Sequence, residues 1–276
     1  MRVSRASGAR PYQRQPLAAL PCVRSPAHPS GLRAALERGE CHIWWASPDD
    51  CRPDLVSLLD GVEHERFGRL QRSRDRERFV VGAALARTMV AGYVGTSPRD
   101  IGFDRTCPEC GAPHGKPRVL GGDPAVELSI SHSGARVAVA LALGTPVGVD
   151  VECGARDAAG TLVLVDDVLR SEEARRLRAL PPQDQAAGFL TYWTRKEALL
   201  KAIGEGLRVP LASFAVTGPG EPGRVLAWPT RPYMCERATL TDLQPGAGHV
   251  ACLAVLDGAR RVVESAASGR LASIVA

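Results

Sequence analysis

The chain has 276 residues, of which 45% are hydrophobic, so it is long enough to bury the core of one large domain or two modest ones. Its apolar runs are short and broken by Gly, Pro or charge, which excludes a membrane-spanning helix of roughly 20 residues. The formal net charge of +5 favours acidic partners but identifies none. We expect a soluble protein that neither enters a membrane nor binds nucleic acid.

The N-terminal stretch and the cysteines indicate the compartment. Residues 1–36 are rich in Arg, Pro, Ser and Ala, which predicts a disordered leader because little apolar surface offsets the entropy of ordering. They lack the apolar segment of a secretory signal. The eight cysteines are dispersed, which disfavours a disulfide framework and favours a reducing, cytoplasmic setting.

Secondary structure is predicted from apolar periodicity and from Gly and Pro punctuation. In chain order we expect a strand at 41–46, helices at 55–70 and 78–90, a loop at 107–124, strands at 126–130, 136–143 and 147–151, and helices at 171–180 and 185–203.

A weak internal repeat relates the two long helices. Laying one over the other places Phe79 on Phe189 and Arg87 on Glu197, and each half closes on an apolar strand, at 137–143 and 249–256. The repeat predicts an α+β fold made of two similar halves, 37–145 and 146–260, followed by a tail at 261–276. Chance similarity is the competing interpretation.

Two carboxylates lie two residues apart in Gly148-Val-Asp-Val-Glu152. In a strand, Asp150 and Glu152 project from the same face. Mg²⁺ prefers oxygen ligands, commonly one or two carboxylates completed by phosphates and water. An isolated pair of this kind more often faces solvent, so a metal site needs support from other residues.

The second long helix carries charges among apolar residues. Glu197 and Lys201 are four apart and share a face with Trp193, which is ordinarily a surface salt bridge beside a core tryptophan. Lys196 is the third charge, and a charge on the buried side of a helix needs a partner. A metal and a phosphate would supply partners of both signs.

Other polar residues are suited to phosphate or metal ligands. Ser129-Ile-Ser-His-Ser-Gly134 offers hydroxyls, an imidazole and a glycine between two strands. Gly115-Lys-Pro117 is a turn with one cation, and Arg66 lies on a helix face where solvated surface is the default. Cys107, Cys110 and His114 have zinc-like spacing, but no second close pair completes four ligands, so we interpret them as a loop. No P-loop, Rossmann or nucleophile-elbow motif is present.

Taken in order, these motifs resemble the surfactin-synthetase-type family of 4'-phosphopantetheinyl transferases. The resemblance rests on Gly115-Lys-Pro117, Ser129-Ile-Ser-His-Ser133, Gly148-Val-Asp-Val-Glu152 and Trp193-Thr-Arg-Lys-Glu-Ala198 with Lys201, and it spans roughly residues 41–256. It implies a pseudo-dimer of two α+β halves, each a small antiparallel sheet with a long helix, with the active site in the cleft between them.

The reaction implied by the resemblance moves the phosphopantetheine arm of coenzyme A onto a serine of an acyl or peptidyl carrier protein, as in polyketide or nonribosomal peptide biosynthesis. Adenosine 3',5'-bisphosphate is released, and the enzyme would be of the holo-[acyl-carrier-protein] synthase type. One complete site per chain makes a monomer the default. The carrier would dock near residues 162–180.

The resemblance also assigns roles by position. Mg²⁺, or Mn²⁺, would be held by Asp150, Glu152 and Glu197. Glu197 would be the base toward the carrier serine, and Lys201 would stabilise the leaving phosphate. The coenzyme A contacts would come from Arg66 at the 3'-phosphate, Lys116, Pro117, Ser131, His132 and Lys201, with His132 also near the reacting phosphates. A second family lysine falls on Glu63, which puts that contact in doubt.

Two alternatives remain at this point. Another Mg²⁺-dependent phosphotransferase or a nucleotide diphosphate hydrolase could use the same carboxylates, and it would turn over without a carrier protein. A non-catalytic binding protein would show no Mg²⁺-dependent affinity for coenzyme A.

Overall fold

The computed structural model describes residues 22–24, 29–154, 160, 162–259, 261–267 and 271. The strands in these ranges are β1 (Cys22–Arg24), β2 (Glu40–Ala46), β3 (Phe103–Asp104), β4 (Arg118–Val119), β5 (Val126–Ser133), β6 (Arg136–Leu143), β7 (Val147–Cys153), β8 (Ala215–Val216), β9 (Val225–Ala227), β10 (Ala238–Leu243), β11 (His249–Leu256) and β12 (Arg261–Ala266).

The helices in the same ranges are α1 (Pro29–Glu37), α2 (Gly61–Arg69), α3 (Ser73–Val94), α4 (Val165–Val168), α5 (Ser171–Arg178), α6 (Pro182–Ile203) and α7 (Met234–Arg237). Short 3₁₀ turns occur at Pro48–Asp50, Pro53–Leu58, Pro98–Asp100, Gly206–Arg208 and Leu211–Ser213. No helix in the described part of the chain has the length and apolar character needed to cross a bilayer.

Two sheets form the centre of the molecule. The first has the strand order β1-β12-β2-β6-β5, with β12 parallel to both β1 and β2 and the β2-β6-β5 portion antiparallel. The second is antiparallel with the order β10-β11-β7. The prediction of a mixed α+β fold with small sheets is confirmed.

Three apolar cores arise from the alternation of side chains along the strands. On β6, Val137 and Val139 face the core under α3, whereas Ala138 and Ala140 face the core shared with β7 and β11. On β11, Cys252 and Ala254 instead belong to the core under α6. The layers are therefore α3, the first sheet, the second sheet and α6.

The helix predicted at 55–70 is two elements, a 3₁₀ turn and α2, so the prediction of one helix is wrong. Asp60 is the reason, because it caps α2 by accepting from the Glu63 N–H (2.8 Å) while the Glu63 carboxylate accepts from the Asp60 N–H (3.2 Å). This reciprocal capping box starts a new helix in the middle of the predicted one.

Both ends of the chain differ from the predicted leader and tail. Pro29–Glu37 is helix α1, whose Leu32 and Leu36 are buried in the core under α3. Arg261–Ala266 is β12, which lies between β1 and β2 with Val262 buried. The sequence patterns missed these elements because each is short and flanked by polar or small residues. Most of the remaining leader and tail, 1–21, 25–28, 268–270 and 272–276, lies outside the described residues.

Candidate functional site

Strand β7 presents its acidic residues toward helix α6. Gly148, Asp150 and Glu152 occupy one face of β7, and the backbone of α6 passes so close to Gly148 that an added Cβ would lie 2.0 Å from the Ala198 carbonyl oxygen. Only glycine permits this approach. The close contact places the next two residues of the same face, Asp150 and Glu152, beside the side chains of α6.

Helix α6 directs Trp193, Glu197 and Lys201 toward these carboxylates, since the three residues are successive members of an i, i+4 stripe. Glu197 is only 8% exposed and Asp150 only 3%. Lys201 Nζ lies 2.6 Å from Asp150 Oδ1, so one of the two buried acids has a cation partner.

A row of serines joins β5 to β7 at the seam between the two sheets. The hydroxyls of Ser129, Ser131 and Ser133 accept from the backbone N–H groups of residues 149, 151 and 153 on β7, at 3.0, 3.2 and 3.1 Å. Ser131 donates to Asp150 (2.9 Å) and Ser133 donates to Glu152 (2.8 Å). The seam therefore fixes the orientation of both carboxylates.

Two buried carboxylate oxygens lack a hydrogen-bond partner among the described residues, Asp150 Oδ2 and Glu197 Oε1. Burial, and then the neighbouring Asp150 carboxylate, raises the pKa of Glu197 to about 7. Buried polar atoms are normally satisfied, so orphaned oxygens at a site need an explanation. Here the Asp150 and Glu197 carboxylates are close enough for their negative charges to repel each other at the wall of a cavity. A nearby cation would stabilise the ionised form of both.

A cavity of about 300 Å³ opens over these carboxylates. Its lining comes from α2, α3, the segment after β3, β5, β7, α6 and the turn after α6: Arg66, Phe79, Gly82, Ala83, Arg105, Ile130, Ser131, His132, Asp150, Glu152, Trp193, Glu197, Lys201 and Leu207. Acids and cations therefore face the same small volume, as a site for a metal and phosphates requires.

Two further polar side chains, Arg66 of α2 and His132 of β5, line the cavity. The Arg66 guanidinium is exposed and stacks over the Phe79 ring, 5.4 Å from its centroid. His132 faces the cavity opening, where the surrounding protein and the cations Lys201 and Arg78 lower its pKa to about 4. The imidazole is therefore neutral near neutral pH.

A second cavity of about 710 Å³ adjoins the first and shares Arg66, Glu197 and Lys201 with it. Lys116 and Pro117 are in its wall. Lys116 is held by Glu127 (2.5 Å) and by the Ala202 carbonyl at the end of α6 (2.9 Å), so it ties the first half of the chain to the helix that carries Glu197.

The structure brings together seven of the predicted site residues at the first cavity: Arg66, Ser131, His132, Asp150, Glu152, Glu197 and Lys201. Lys116 and Pro117 lie in the adjoining one. Lys196 does not belong to this set, contrary to the expectation that its charge would meet a phosphate. It is fully buried and pairs with Glu173 (2.6 Å).

Comparison with known proteins agrees with this geometry. A sequence model of the 4'-phosphopantetheinyl transferase superfamily matches residues 146–252, which include β7, α6, β10 and the first half of β11. The 4'-phosphopantetheinyl transferase HetI of Nostoc sp. is 29% identical over 223 residues, covering 78% of this chain and 87% of the relative. The chain is therefore similar to the 4'-phosphopantetheinyl transferase superfamily over residues 146–252 and to HetI over most of its length.

Two further relatives are similar to a smaller part of the chain. A 4'-phosphopantetheinyl transferase of Bacillus subtilis is 29% identical over 162 residues, 59% of this chain and 67% of the relative. A phosphopantetheinyl transferase of Thraustochytrium sp. is 32% identical over 186 residues, 62% of each chain. The likeness to HetI thus extends well beyond the 146–252 match.

Sequence reasoning missed one cation of the candidate site. Arg105 follows β3, lines both cavities and lies 3.4 Å from the buried Glu63, which itself pairs with Arg87 at 2.7 Å. Glu63, where the family resemblance implied a lysine, is thus an anchor for two arginines. The sequence around Arg105 reads as an ordinary loop, and no pattern in it singles this residue out.

Proposed function

We propose that the chain transfers the 4'-phosphopantetheine group of coenzyme A to a serine of an acyl or peptidyl carrier protein, converting apo-carrier to holo-carrier. The observation that carries the proposal is the convergence of Asp150, Glu152 and Glu197 on a cavity that Lys201 and Arg66 also line. The reaction is of the holo-[acyl-carrier-protein] synthase type and releases adenosine 3',5'-bisphosphate.

Asp150, Glu152 and Glu197 are the residues that we assign to Mg²⁺ or Mn²⁺. The donor set is all oxygen, as hard divalent cations prefer. Asp150 Oδ2 and Glu197 Oε1 are buried without a described partner, which supports the assignment of a metal ion to these residues. When bound, the ion supplies positive charge against the pyrophosphate of coenzyme A.

Glu197 is the residue that we assign as the base. Its carboxylate lines the cavity that the metal and the phosphates would occupy, and carboxylates are common general bases. In the proposed step, Glu197 takes the proton of the carrier serine, directly or through a water. The serine oxygen bonds to the β-phosphorus, and the bond from that phosphorus to the bridging oxygen breaks.

Lys201 is the residue that we assign to the leaving group. Its ammonium has three donors, of which the Asp150 carboxylate takes one (2.6 Å) and the Ser131 hydroxyl another (3.0 Å). The third is available to the phosphate oxygen on which negative charge develops as adenosine 3',5'-bisphosphate departs. The contact with Asp150 holds the ammonium at the cavity.

His132 and Ser131 differ in how they would act on the phosphates. The neutral imidazole of His132 offers one N–H donor at the cavity opening. The Ser131 hydroxyl already donates to Asp150 and accepts from Lys201 and the Val151 N–H. We therefore propose that His132 contacts the phosphates and that Ser131 is mainly a positioning residue for the metal-binding carboxylate.

The adjoining cavity is the proposed site of the nucleotide. Arg66 is exposed beside it and has the charge to bind the 3'-phosphate, while Arg105 adds a second cation. Lys116 and Pro117 line the wall, and the Lys116 contacts to Glu127 and Ala202 support a role in holding that wall.

We further propose that the chain is a pseudo-dimer of two similar halves with this site in the cleft between them. The two halves share a local arrangement that supports this proposal. Glu63 and Glu173 are each the third residue of a short capped helix. Each pairs with a buried cation, Arg87 or Lys196, on the 22-residue helix that follows. Both long helices end at a glycine with positive φ, at positions 95 and 204. When the two helices are aligned at these glycines, Arg87 coincides with Lys196. The internal repeat in the sequence instead placed Arg87 on Glu197, one residue later.

The carrier protein would dock near α4 and α5. Val163 and Leu164 are exposed apolar residues just before α4, at 78% and 40% exposure, and α5 carries exposed arginines. Apolar anchors beside basic charge suit a transient complex with an acidic partner. We place this reaction in a cytoplasmic monomer, and the free state of the seven described cysteines supports a reducing compartment.

The test is to incubate the folded protein with coenzyme A, Mg²⁺ and a panel of apo-carrier proteins, and to weigh each carrier by mass spectrometry. The proposal predicts a phosphopantetheine mass gain on at least one carrier and one adenosine 3',5'-bisphosphate released per gain. Cleavage of coenzyme A in a carrier-free control would instead support a diphosphate hydrolase. No gain on any carrier would refute the proposed transfer.

A further inference from the structure

The loop between β3 and β4 brings three potential metal ligands together. One ligand atom from each of Cys107, Cys110 and His114 lies within 4.8 Å of the others. Cys110 Sγ and His114 Nε2 are already 3.0 Å apart. Cys107 is buried, whereas Cys110 and His114 are exposed, so the cluster lies at the surface with one ligand anchored inside.

The backbone of this loop is folded around the Cys107 sulfur. The Cys107 N–H donates to the Ala112 carbonyl and the Gly111 N–H donates to the Cys107 carbonyl, both at 2.9 Å. The backbone N–H groups of Cys110 and Glu109 lie close enough to lower the pKa of the Cys107 thiol. Such N–H donors stabilise a thiolate, which is the form of cysteine that binds metals.

The spacing and the geometry favour zinc. Two cysteines separated by two residues form the usual half of a structural zinc site. With Zn–S bonds of about 2.3 Å and Zn–N bonds of about 2.0 Å, tetrahedral ligand atoms lie about 3.5–3.8 Å apart. The present separations need only small side-chain movements to reach those values.

A disulfide between the two cysteines is the competing interpretation. Both cysteines are free in this structure, and a redox pair gives no reason for a histidine within hydrogen-bond distance of Cys110. Glu109 is an unsuitable fourth ligand because its carboxylate pairs with Arg208 at 2.6 Å. This leaves the fourth position to a water molecule.

We propose that Cys107, Cys110 and His114 bind a Zn²⁺ ion whose fourth ligand is water. Cys107 and His114 also line the larger cavity, next to Lys116 and Pro117. The ion would thus hold one wall of that cavity in place from a site separate from the three carboxylates. This site does not depend on the transfer reaction.

The test uses metal alone as the probe. The reduced protein is stripped with a chelator and titrated with Co²⁺, then with competing Zn²⁺, while thiolate-to-Co²⁺ charge-transfer absorption is followed. C110S and H114A are the informative variants because both residues are exposed, so neither change threatens the core. C235S is the matched thiol control, since Cys235 is partly buried against the core under α6 and lies outside this loop.

We expect one tightly bound ion per wild-type and C235S chain, and an affinity at least about 10-fold weaker in C110S and H114A. Hydrogen exchange of residues 105–117 should slow on Zn²⁺ binding in the wild type and C235S, and not in C110S or H114A. Co²⁺ binding of equal strength in H114A would overturn the proposal, as would the absence of any bound ion in the reduced wild-type protein. Ready formation of a Cys107–Cys110 disulfide with no metal uptake would overturn it in favour of a redox pair.

Discussion

Replacing Glu197 with Gln should stabilise the metal-free protein at alkaline pH while it removes the proposed base and metal ligand. Glu197 is buried beside Asp150, and its Oε1 atom has no partner among the described residues. Gln has a similar shape, carries no charge and offers an N–H₂ group to the unpartnered oxygen of Asp150. The variant should therefore increase the stability of the fold while it removes the proposed catalytic function of residue 197.

The magnitude follows from the pKa of Glu197. Folding raises this pKa from 4.5 to about 7, so the folded state favours the protonated carboxyl. Compared with a glutamate whose pKa does not change on folding, Glu197 increases the free energy of unfolding below pH 4.5. This contribution is lost as the pH rises to about 7. A difference of about 2.5 pKa units corresponds to about 3 kcal/mol at 1.36 kcal/mol per unit. Partial contact with solvent reduces this to about 2–3 kcal/mol.

The assay is thermal and urea unfolding of wild type and E197Q between pH 5 and pH 8, in EDTA and without coenzyme A. At pH 8 we expect E197Q to melt several degrees higher, at roughly 2–4 °C per kcal/mol for a chain of this size. The difference should shrink toward pH 5. Adding Mg²⁺ should raise the melting temperature of the wild type but not of E197Q. E172Q serves as the control, because Glu172 is an exposed acid.

A melting temperature of E197Q below that of the wild type at pH 8 would refute the reasoning. An advantage that is the same at pH 5 and pH 8 would also refute it, because the effect would then not come from ionisation of Glu197.

Three other changes test separate parts of the account. K196M should lower the unfolding free energy by roughly 3–5 kcal/mol in urea, because it leaves the buried Glu173 without its cation; a loss below about 1 kcal/mol would contradict this. S131A should reduce kcat more than S129A at a similar loss of stability. Both hydroxyls accept a hydrogen bond from a β7 N–H, but of the two only Ser131 donates to a proposed metal ligand, Asp150. Equal kcat values for the two variants would contradict this role of Ser131. R66M should raise the KM for coenzyme A about 10-fold or more and leave that for 3'-dephospho-coenzyme A unchanged; equal losses with both would exclude a 3'-phosphate contact.

The residues of the site were predictable where local periodicity determines the direction of a side chain. Asp150 and Glu152 share a face because a strand alternates, and Glu197 and Lys201 share one because a helix repeats every 3.6 residues. Both patterns are read from neighbouring residues, so they need no knowledge of the tertiary fold.

The partners of these residues were not predictable in the same way. Ser131 appeared to be a phosphate ligand from its sequence motif, but its contact with Asp150 depends on how β5 meets β7 across two sheets. Lys196 and Glu173 are separated by a turn, and only packing shows that they pair. Long-range contacts of this kind leave no local signal in a single sequence.

The same limit explains the errors at the ends of the chain. Strand β12 is stable because it lies between β1 and β2, and helix α1 because Leu32 and Leu36 reach the core under α3. Each segment is too short and too polar to be identified alone, and each acquires its structure from partners distant in sequence.

We propose that the carboxylates facing the cavity carry out Mg²⁺-dependent transfer from coenzyme A. The most direct test measures the mass of one apo-carrier protein after incubation with coenzyme A, Mg²⁺ and either wild type or E197Q. The account predicts a phosphopantetheine mass gain with the wild type and none with E197Q, although E197Q is the more stable protein at pH 8. Transfer by E197Q at the wild-type rate, or equal transfer by the wild type in EDTA, would contradict it.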